Sequence, residues 1–239
     1  MTEPLFIQDS YLREHRCQVV AHTPEGGVVL ERPLFYPTGG GQPGDSGRLH
    51  WDGHQIPIAT TIKGKHGEII LLAAEPSPLP EVGTEVMQDL DWDRRFRIMQ
   101  MHTALHLLSV VIPLPVTGGA IGSEKGRLDF DMPEAPAEKL VLQDQLNALL
   151  DRDFAITDHW ISNQELAENP QLIKTMSVKP PVGAGQVRLI QIGEEPDLID
   201  LQPCGGTHVA RTSEISPLVV AKIEKKGHQN RRVTLRFGP

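Results

Sequence analysis

The chain has 239 residues, of which 39% are hydrophobic, and a formal net charge of −8 with histidine neutral. This length and composition predict a globular protein with a sizeable core, built as one large domain or two modest ones. The negative balance argues against a uniformly basic surface of the kind that binds nucleic acid nonspecifically.

The lack of a targeting signal and the small number of cysteines predict the same compartment. No stretch reaches the roughly 18 to 20 uncharged apolar residues of a membrane span, and the first ten residues lack the basic and apolar regions of a signal peptide. The two cysteines, Cys17 and Cys204, lie far apart in the sequence, which argues against a disulfide framework and leaves a thiolate available as a ligand. We therefore expect a cytoplasmic protein with no membrane segment and no disulfide.

The first part of the chain reads as short strands separated by turn signals, a pattern typical of a small barrel or sandwich. Asp52-Gly53 is a hairpin turn signal between two of these strands. A proline-rich stretch, 75–80, interrupts the series before its last strand, so we place a domain boundary near residue 91 and an N-terminal domain at 1–90. The predicted strands are 17–21, 27–35, 47–51, 54–63, 68–73 and 84–90.

The second part, 91–239, opens with a predicted helix over 94–111, whose apolar residues recur at spacings of three and four. Pro113 and Pro115 end this helix. Beyond it, strands and helices are segregated rather than regularly alternating, which favours the α+β class. The remaining predicted elements are an extended segment at 127–132, a helix at 135–150, and strands at 187–192, 215–225 and 231–237.

Two short motifs predict a single zinc site. His102 and His106 are four residues apart in the predicted helix, so they project from one face of it. Cys204 and His208 flank two glycines whose backbone freedom lets the loop fold both side chains toward a common point. Three imidazoles and one thiolate suit one tetrahedral zinc ion per chain.

Other interpretations of these motifs differ in how well they fit. His50 and His54 repeat the same spacing, but they straddle a turn, where this spacing does not align side chains. A zincin protease needs Glu where Thr103 stands, and a zinc deaminase needs a second cysteine where Thr207 stands. A purely structural zinc stays open, because four protein ligands close the site, although three histidines favour a working centre.

Several segments, taken in order over nearly the whole chain, resemble the editing domain of alanyl-tRNA synthetase and, more closely, its free-standing relatives of the AlaX type. The most specific of them is the block that contains Cys204-Gly-Gly-Thr-His208. Two positions depart from the synthetase-borne domain: Leu105 stands where Thr is typical, and Gly118-Gly119 stands where a Gln is usual. Both departures suit the free-standing branch. The matching segments are 35–45, 102–106, 126–131, 200–209, 226–227 and 231–232.

The resemblance implies a small N-terminal β-barrel followed by an α+β editing domain with zinc on the four residues named above. It implies hydrolysis of amino acids wrongly attached to alanine tRNA, and we expect seryl- and possibly glycyl-tRNA(Ala) as substrates. Our hypothesis is that zinc lowers the pKa of a bound water or orients the aminoacyl group. The identity of the general base stays open. The candidates for catalytic or substrate-contacting side chains are Thr103, Glu124, Asp200 and Thr207.

Two further groups of residues are candidate contacts to tRNA. The glycine-rich stretch can line the cavity for the tRNA terminus with backbone N–H groups, or it can simply form a tight turn. Basic residues near the zinc motifs can contact phosphates. A non-catalytic zinc module that binds tRNA is the alternative function. The candidate contacts are Thr38, Gly39, Gly40, Gly41, Gln42, Arg94, Arg95, Lys225, Lys226, Arg231 and Arg232.

Overall fold

The computed structural model describes residues 3–134, 138–175 and 185–238. The chain divides into two units, Met1–Phe96 and Arg97–Pro239. Among the described residues, no helix has the length and apolar character needed to cross a membrane.

The first unit contains a closed antiparallel barrel preceded by one short helix, α1 (Leu5–Gln8). The strand order around the barrel is β1-β2-β5-β4-β3-β6, and β6 pairs with β1 to close it. The predicted barrel is therefore confirmed, although the strand predicted at 27–35 is observed only over Val28–Leu30. The strands are β1 (Glu14–His22), β2 (Val28–Leu30), β3 (Gly47–Trp51), β4 (His54–Lys63), β5 (Ile69–Ala73) and β6 (Glu85–Leu90).

The barrel follows from alternating apolar residues and one tight turn. Leu49 and Ile56 are paired partners on β3 and β4, and both point into the core. Asp52 and Gly53 both have positive φ, at 42° and 77°, as a two-residue type I′ hairpin requires. This turn sets the register of the hairpin, in which Trp51 pairs with His54.

Helix α2 (Trp92–Val111) carries the first predicted zinc motif. Its first turn is tied to Asp91, whose backbone carbonyl accepts a hydrogen bond from the N–H of Arg95 at 3.0 Å. Pro113 follows the last turn and cannot continue the helix. The division between the two units falls inside α2, a few residues beyond the boundary expected near residue 91. We still predict that residues 1–90 and 91–239 form separate folding domains.

The second unit builds two antiparallel sheets, with strand orders β12-β13-β8-β7 and β11-β10-β9. This unit contains both strands and helices, and its elements β7, β9, β11 and α4 were not predicted. The predicted start of α3, at 135–137, lies outside the described residues. The elements are β7 (Val116–Ala120), β8 (Lys125–Asp131), α3 (Lys139–Asp151), β9 (Ile156–Ser162), α4 (Asn163–Glu168), β10 (Gln186–Ile192), β11 (Asp200–Pro203), β12 (Leu218–Lys225) and β13 (Asn230–Phe237).

The four-stranded sheet packs against the helix that carries the histidines. Gly126 on β8 has no side chain, and a Cβ there would lie 2.7 Å from Met101 Cγ and 3.1 Å from Leu105 Cδ1. The absence of a side chain thus allows β8 to approach α2 closely. His102 and His106 follow Met101 and Leu105 by one residue each, so they project from a different side of the helix.

Candidate metal centre

Four side chains from two distant segments converge in the second unit. The candidate ligand atoms of His102, His106, Cys204 and His208 all lie within 4.8 Å of one another. The three histidines are at most 7% exposed, and Cys204 is partly buried. In the described part of the chain, His50 and His54 join no such group, and His50 Nε2 lies 3.6 Å from Asp89 Oδ2 instead.

The spacing of these atoms fits a tetrahedral zinc ion. Cys204 Sγ lies 3.4 Å from His102 Nε2 and 3.3 Å from His208 Nε2. Zinc bonds of ~2.3 Å to sulfur and ~2.05 Å to nitrogen, at the tetrahedral angle, put S and N about 3.6 Å apart. These two distances are therefore within a few tenths of an ångström of the separation that the ion would impose.

Asp200 orients His106 through the ring nitrogen Nδ1. Its Oδ2 atom lies 3.1 Å from His106 Nδ1 and accepts a 2.7 Å hydrogen bond from the side-chain amide of Gln202. Its Oδ1 atom accepts a hydrogen bond from Lys174 Nζ. With Nδ1–H donating to the carboxylate, Nε2 of His106 is the nitrogen available to a metal. Such carboxylate–histidine pairs fix the tautomer and orientation of a metal ligand.

Strand periodicity explains how Asp200 and Gln202 reach the same histidine. Asp200, Gln202 and Cys204 are spaced two apart along β11 and its extension, so their side chains share one face of the sheet. Gln202 was missed in the sequence because β11 was not predicted as a strand. The signal that could have identified Gln202 is the alternation of polar residues that precedes Cys204.

Thr103 orients a second ligand. Its side chain is fully buried, and its Oγ1 atom lies 3.1 Å from His208 Nδ1. If Nδ1–H donates to the hydroxyl, Nε2 of His208 points toward Cys204 and the metal position. The hydroxyl of Thr103 therefore contacts a candidate ligand, and a contact of this residue to the substrate stays a prediction.

The electrostatics of the cluster favour deprotonated Cys204 and His208 but a proton on His106. Burial raises the pKa of Cys204, but the neighbouring His102 and His208 outweigh it and hold this pKa well below 9. Burial, together with the charge on His102, lowers the pKa of His208 well below 6.5. Burial also acts to lower the pKa of His106, but the hydrogen bond to Asp200 and the nearby Cys204 raise it to about 9.

We predict that metal affinity falls as the pH is lowered from 9. The lowered pKa values of Cys204 and His208 favour the thiolate and the neutral imidazole that a metal requires, whereas His106 carries a proton below its pKa of about 9. Displacing that proton lowers the apparent affinity by about tenfold per pH unit below 9 for this group alone. Zinc competition titrations from pH 6.5 to 9 measure the slope, and a pH-independent affinity would contradict the protonation of His106.

The three other catalytic candidates differ in how close they lie to the cluster. Glu124 is at the surface, with a side chain 76% exposed, and pairs with Arg97 at 3.1 Å. Thr207 lies inside the loop between Cys204 and His208 and is fully buried. Asp200 is 2% exposed and contacts His106 directly. Of the candidates for a general base, Asp200 is thus placed to act through a ligand.

The glycine-rich stretch belongs to the first unit and forms a tight turn. Gly39 and Gln42 exchange two backbone hydrogen bonds of 2.9 and 3.0 Å. Gly40 and Gly41 between them have positive φ, at 58° and 84°, which again is the type I′ geometry that favours glycine. Gln42 is 1% exposed, and the Oγ1 atom of Thr38 is bonded to two backbone groups. A turn explains these glycines without a ligand.

The expectation that Arg95 contacts phosphate is wrong. Its side chain is fully buried in the first unit and forms an ion pair with Asp45 through Nε and Nη2. A buried guanidinium with this partner is not available to a surface ligand, and removing either charge leaves the other buried and unpaired. Arg94 is partly exposed and donates to the carbonyl of Gly44 at 2.9 Å.

The remaining basic candidates do not form one surface. Arg231 and Arg232 are adjacent on β13, so their side chains point to opposite faces of the sheet. Arg232 makes two hydrogen bonds to the carboxylate of Asp129, at 2.7 and 2.9 Å. Lys225 and Lys226 are exposed at the end of the β12–β13 hairpin. Lys225 and Lys226 are thus the exposed candidates of this group, whereas Arg231 and Arg232 are partly buried.

Two family models match the chain. Residues 187–234 match the second additional domain of threonyl and alanyl tRNA synthetases, and residues 7–94 match the class II (A) tRNA synthetases. The first match includes Cys204 and His208, and the second covers the barrel.

Individual relatives match over a greater length. The alanyl-tRNA editing protein AlaX-M of Saccharolobus solfataricus is 34% identical over 98% of this chain and 98% of its own length. AlaX-L of Pyrococcus horikoshii is 31% identical over the whole chain and 58% of its own length. The alanine–tRNA ligase of Pyrobaculum neutrophilum is 31% identical over 94% of this chain, which spans 25% of the ligase. The chain therefore belongs to the AlaX-type family of alanyl-tRNA editing proteins.

Proposed function

We propose that this protein is a zinc-dependent deacylase that hydrolyses the ester bond between alanine tRNA and a wrongly attached amino acid, serine or glycine. The observation that carries the proposal is the convergence of three imidazoles and a thiolate, with Asp200 behind His106. Relatives named as alanyl-tRNA editing proteins support the same conclusion.

The donor set fits zinc better than other common metals. Thiolate and imidazole ligands select zinc over magnesium, calcium and manganese, which prefer oxygen. Bound here, zinc would lower the pKa of a water or orient the aminoacyl group. His102 and His106 are fixed on α2, and His208 is oriented by Thr103.

The need for such an enzyme follows from the limits of recognition by size. A site selecting alanine excludes larger side chains sterically, but it discriminates against glycine or serine only modestly. A second hydrolytic site that removes the wrong residue supplies the missing specificity. No aminoacylation step is part of this proposal.

The proposal is tested by incubating the purified protein with alanine tRNA carrying serine, glycine or alanine and following release of the amino acid. We expect release from the seryl or glycyl form and little from the alanyl form. No release above background from any of them rejects the editing activity, and equal release from all three rejects its specificity.

A non-catalytic, tRNA-binding zinc module is the second candidate. The four protein ligands favour it, because a closed ligand set is typical of structural zinc. In the same experiment this module would retain tRNA on a filter without releasing any amino acid. Binding without release would therefore select this alternative.

We also predict a steep salt dependence. If three basic side chains contact tRNA phosphates, kcat/KM falls roughly 20- to 40-fold between 50 and 200 mM salt, because each contact releases condensed counterions. Initial rates at low tRNA concentration across this range measure the slope. Rates at saturating tRNA are the control and should change little; a flat kcat/KM would count against phosphate contacts.

A further inference from the structure

We infer that Arg188, held by Asp158, is a positioning residue that fixes the loop bearing Cys204 and His208. We call these two residues the Asp158–Arg188 pair. Neither is a metal ligand, so the pair acts through the loop. The inference rests on the proposed metal occupancy of the centre, and it concerns how two of the four ligands are held in place.

Arg188 contacts the loop from both its backbone and its side chain. It lies on β10, the middle strand of the three-stranded sheet. Its carbonyl accepts a 3.1 Å hydrogen bond from the N–H of Cys204, just beyond the end of β11. Its Nη1 atom donates a 2.8 Å hydrogen bond to the carbonyl of Gly206. One residue thus holds the loop on both sides of Gly205.

The guanidinium is buried and its charge is balanced by Asp158. Only 8% of the Arg188 side chain is exposed, and its Nε atom lies 3.3 Å from Asp158 Oδ2. Asp158 lies on β9 and pairs with Ile190, two residues from Arg188, so both side chains occupy the same face of the sheet. A buried cation needs both a charge partner and hydrogen-bond acceptors. Asp158 supplies the first, and Gly206 supplies an acceptor.

The loop between Cys204 and His208 contains two glycines and therefore needs contacts from outside the loop to fix its conformation. Gly205 and Gly206 leave the backbone free to adopt many conformations. The N–H of Gly206 approaches Cys204 Sγ at 3.5 Å, so the orientation of Gly206 also bears on the thiolate. Fixing its carbonyl through Arg188 limits that freedom and keeps Cys204 and His208 directed at the same point.

The test measures metal retention rather than deacylation. The rate of zinc transfer to a chromogenic chelator, and the thiolate-to-metal absorption band of the cobalt form, are compared for the wild type and for Arg188→Met, Arg188→Lys and Asp158→Asn. Arg152→Met is the matched control, because Arg152 makes an ion pair with Asp197 at 3.1 Å in the same unit.

Arg188→Met is expected to weaken zinc retention about 10- to 100-fold, as the loss of a partner behind a ligand typically does. It should also alter the cobalt band. Arg188→Lys keeps the charge but loses the planar fork, so its effect should be intermediate. Asp158→Asn should give a smaller change in the same direction, and Arg152→Met should match the wild type.

A double variant tests whether Asp158 acts through Arg188. Adding Asp158→Asn to Arg188→Met should change zinc retention no further, whereas independent, additive effects would overturn the inference. Unchanged retention in a folded Arg188→Met protein would also overturn it. If Arg188→Met does not fold, Arg188→Lys and the partly exposed Asp158→Asn carry the test alone.

These readouts separate the inference from the proposed activity. If the protein releases no amino acid but the variants lose zinc in the expected order, the inference holds and the deacylase proposal fails. If the wild type binds no zinc, the inference fails whatever the deacylation assay gives.

Discussion

Replacing His106 by alanine is expected to abolish both metal binding and deacylation. The substitution removes one of four ligands and leaves the buried Asp200 without its histidine partner. Asp200 keeps its contacts with Lys174 and Gln202, so the expected loss follows from the missing ligand itself. Metal analysis of the purified variant should give close to no zinc per chain, and release of serine from tRNA(Ala) should fall to background.

The matched control for this variant is His50→Ala. His50 belongs to the other pair of histidines spaced four apart, but it lies on β3 of the barrel and contacts Asp89. We expect this control to keep full metal content and activity. An active His106→Ala enzyme that still holds zinc would contradict the assignment of the ligand.

Replacing Asp200 by asparagine is expected to weaken metal affinity about 10- to 100-fold, the usual effect of removing a carboxylate behind a ligand histidine. The neutral amide no longer imposes one tautomer on the ring of His106. This loss is expected to outweigh the weaker proton competition that follows when Asp200 no longer raises the pKa of His106. It also removes the charge partner of Lys174. Competition with a chelator of known affinity measures the change.

Asp153→Asn is the control for Asp200→Asn. Like Asp200, Asp153 pairs with a basic side chain, here that of Arg211, but the Asp153 side chain is 45% exposed, and exposed pairs of this kind contribute little. The control should bind metal like the wild type. Equal affinity in the Asp200 variant would show that this carboxylate does not support the ligand.

The strands of the barrel were predictable because local signals define them. Turn residues such as Asp52-Gly53 separate short apolar runs, and the observed β3 and β4 have the predicted bounds. The missed strands carry no such signal. β7 contains Gly118 and Gly119, which are poor strand formers, and four consecutive residues of β9, 157–160, are exposed, so no alternation appears.

The cluster of candidate metal ligands was predictable for a similar reason, since the two members of each pair lie four residues apart in the sequence. The residues that support them were only partly predictable. Asp200 was among the candidates, but Lys174 lies 26 residues from it in the chain, and Arg188 lies 18 residues from Gly206. Such contacts depend on how β10 and β11 pair, which the pattern of residues did not reveal.

The error at Arg95 has the same origin. The neighbouring residues Arg94, Arg95 and Arg97 predict a basic surface when only the sequence is considered. The partner of Arg95 is Asp45, 50 residues earlier, and their pairing is visible only once the barrel has formed. Local charge patterns predict exposure well, but they cannot identify a long-range ion pair.

The distance in sequence between the candidate ligands means that a bound metal would also stabilise the fold. His102 and Cys204 are separated by 102 residues, so an ion held by both would act as a reversible cross-link that closes a very long loop. Closing such a loop lowers the entropy of the unfolded chain. At a free metal concentration of 100 times Kd, binding adds about 2.7 kcal/mol to the stability of the folded state. The heat resistance of this protein would then rise and fall with the supply of metal.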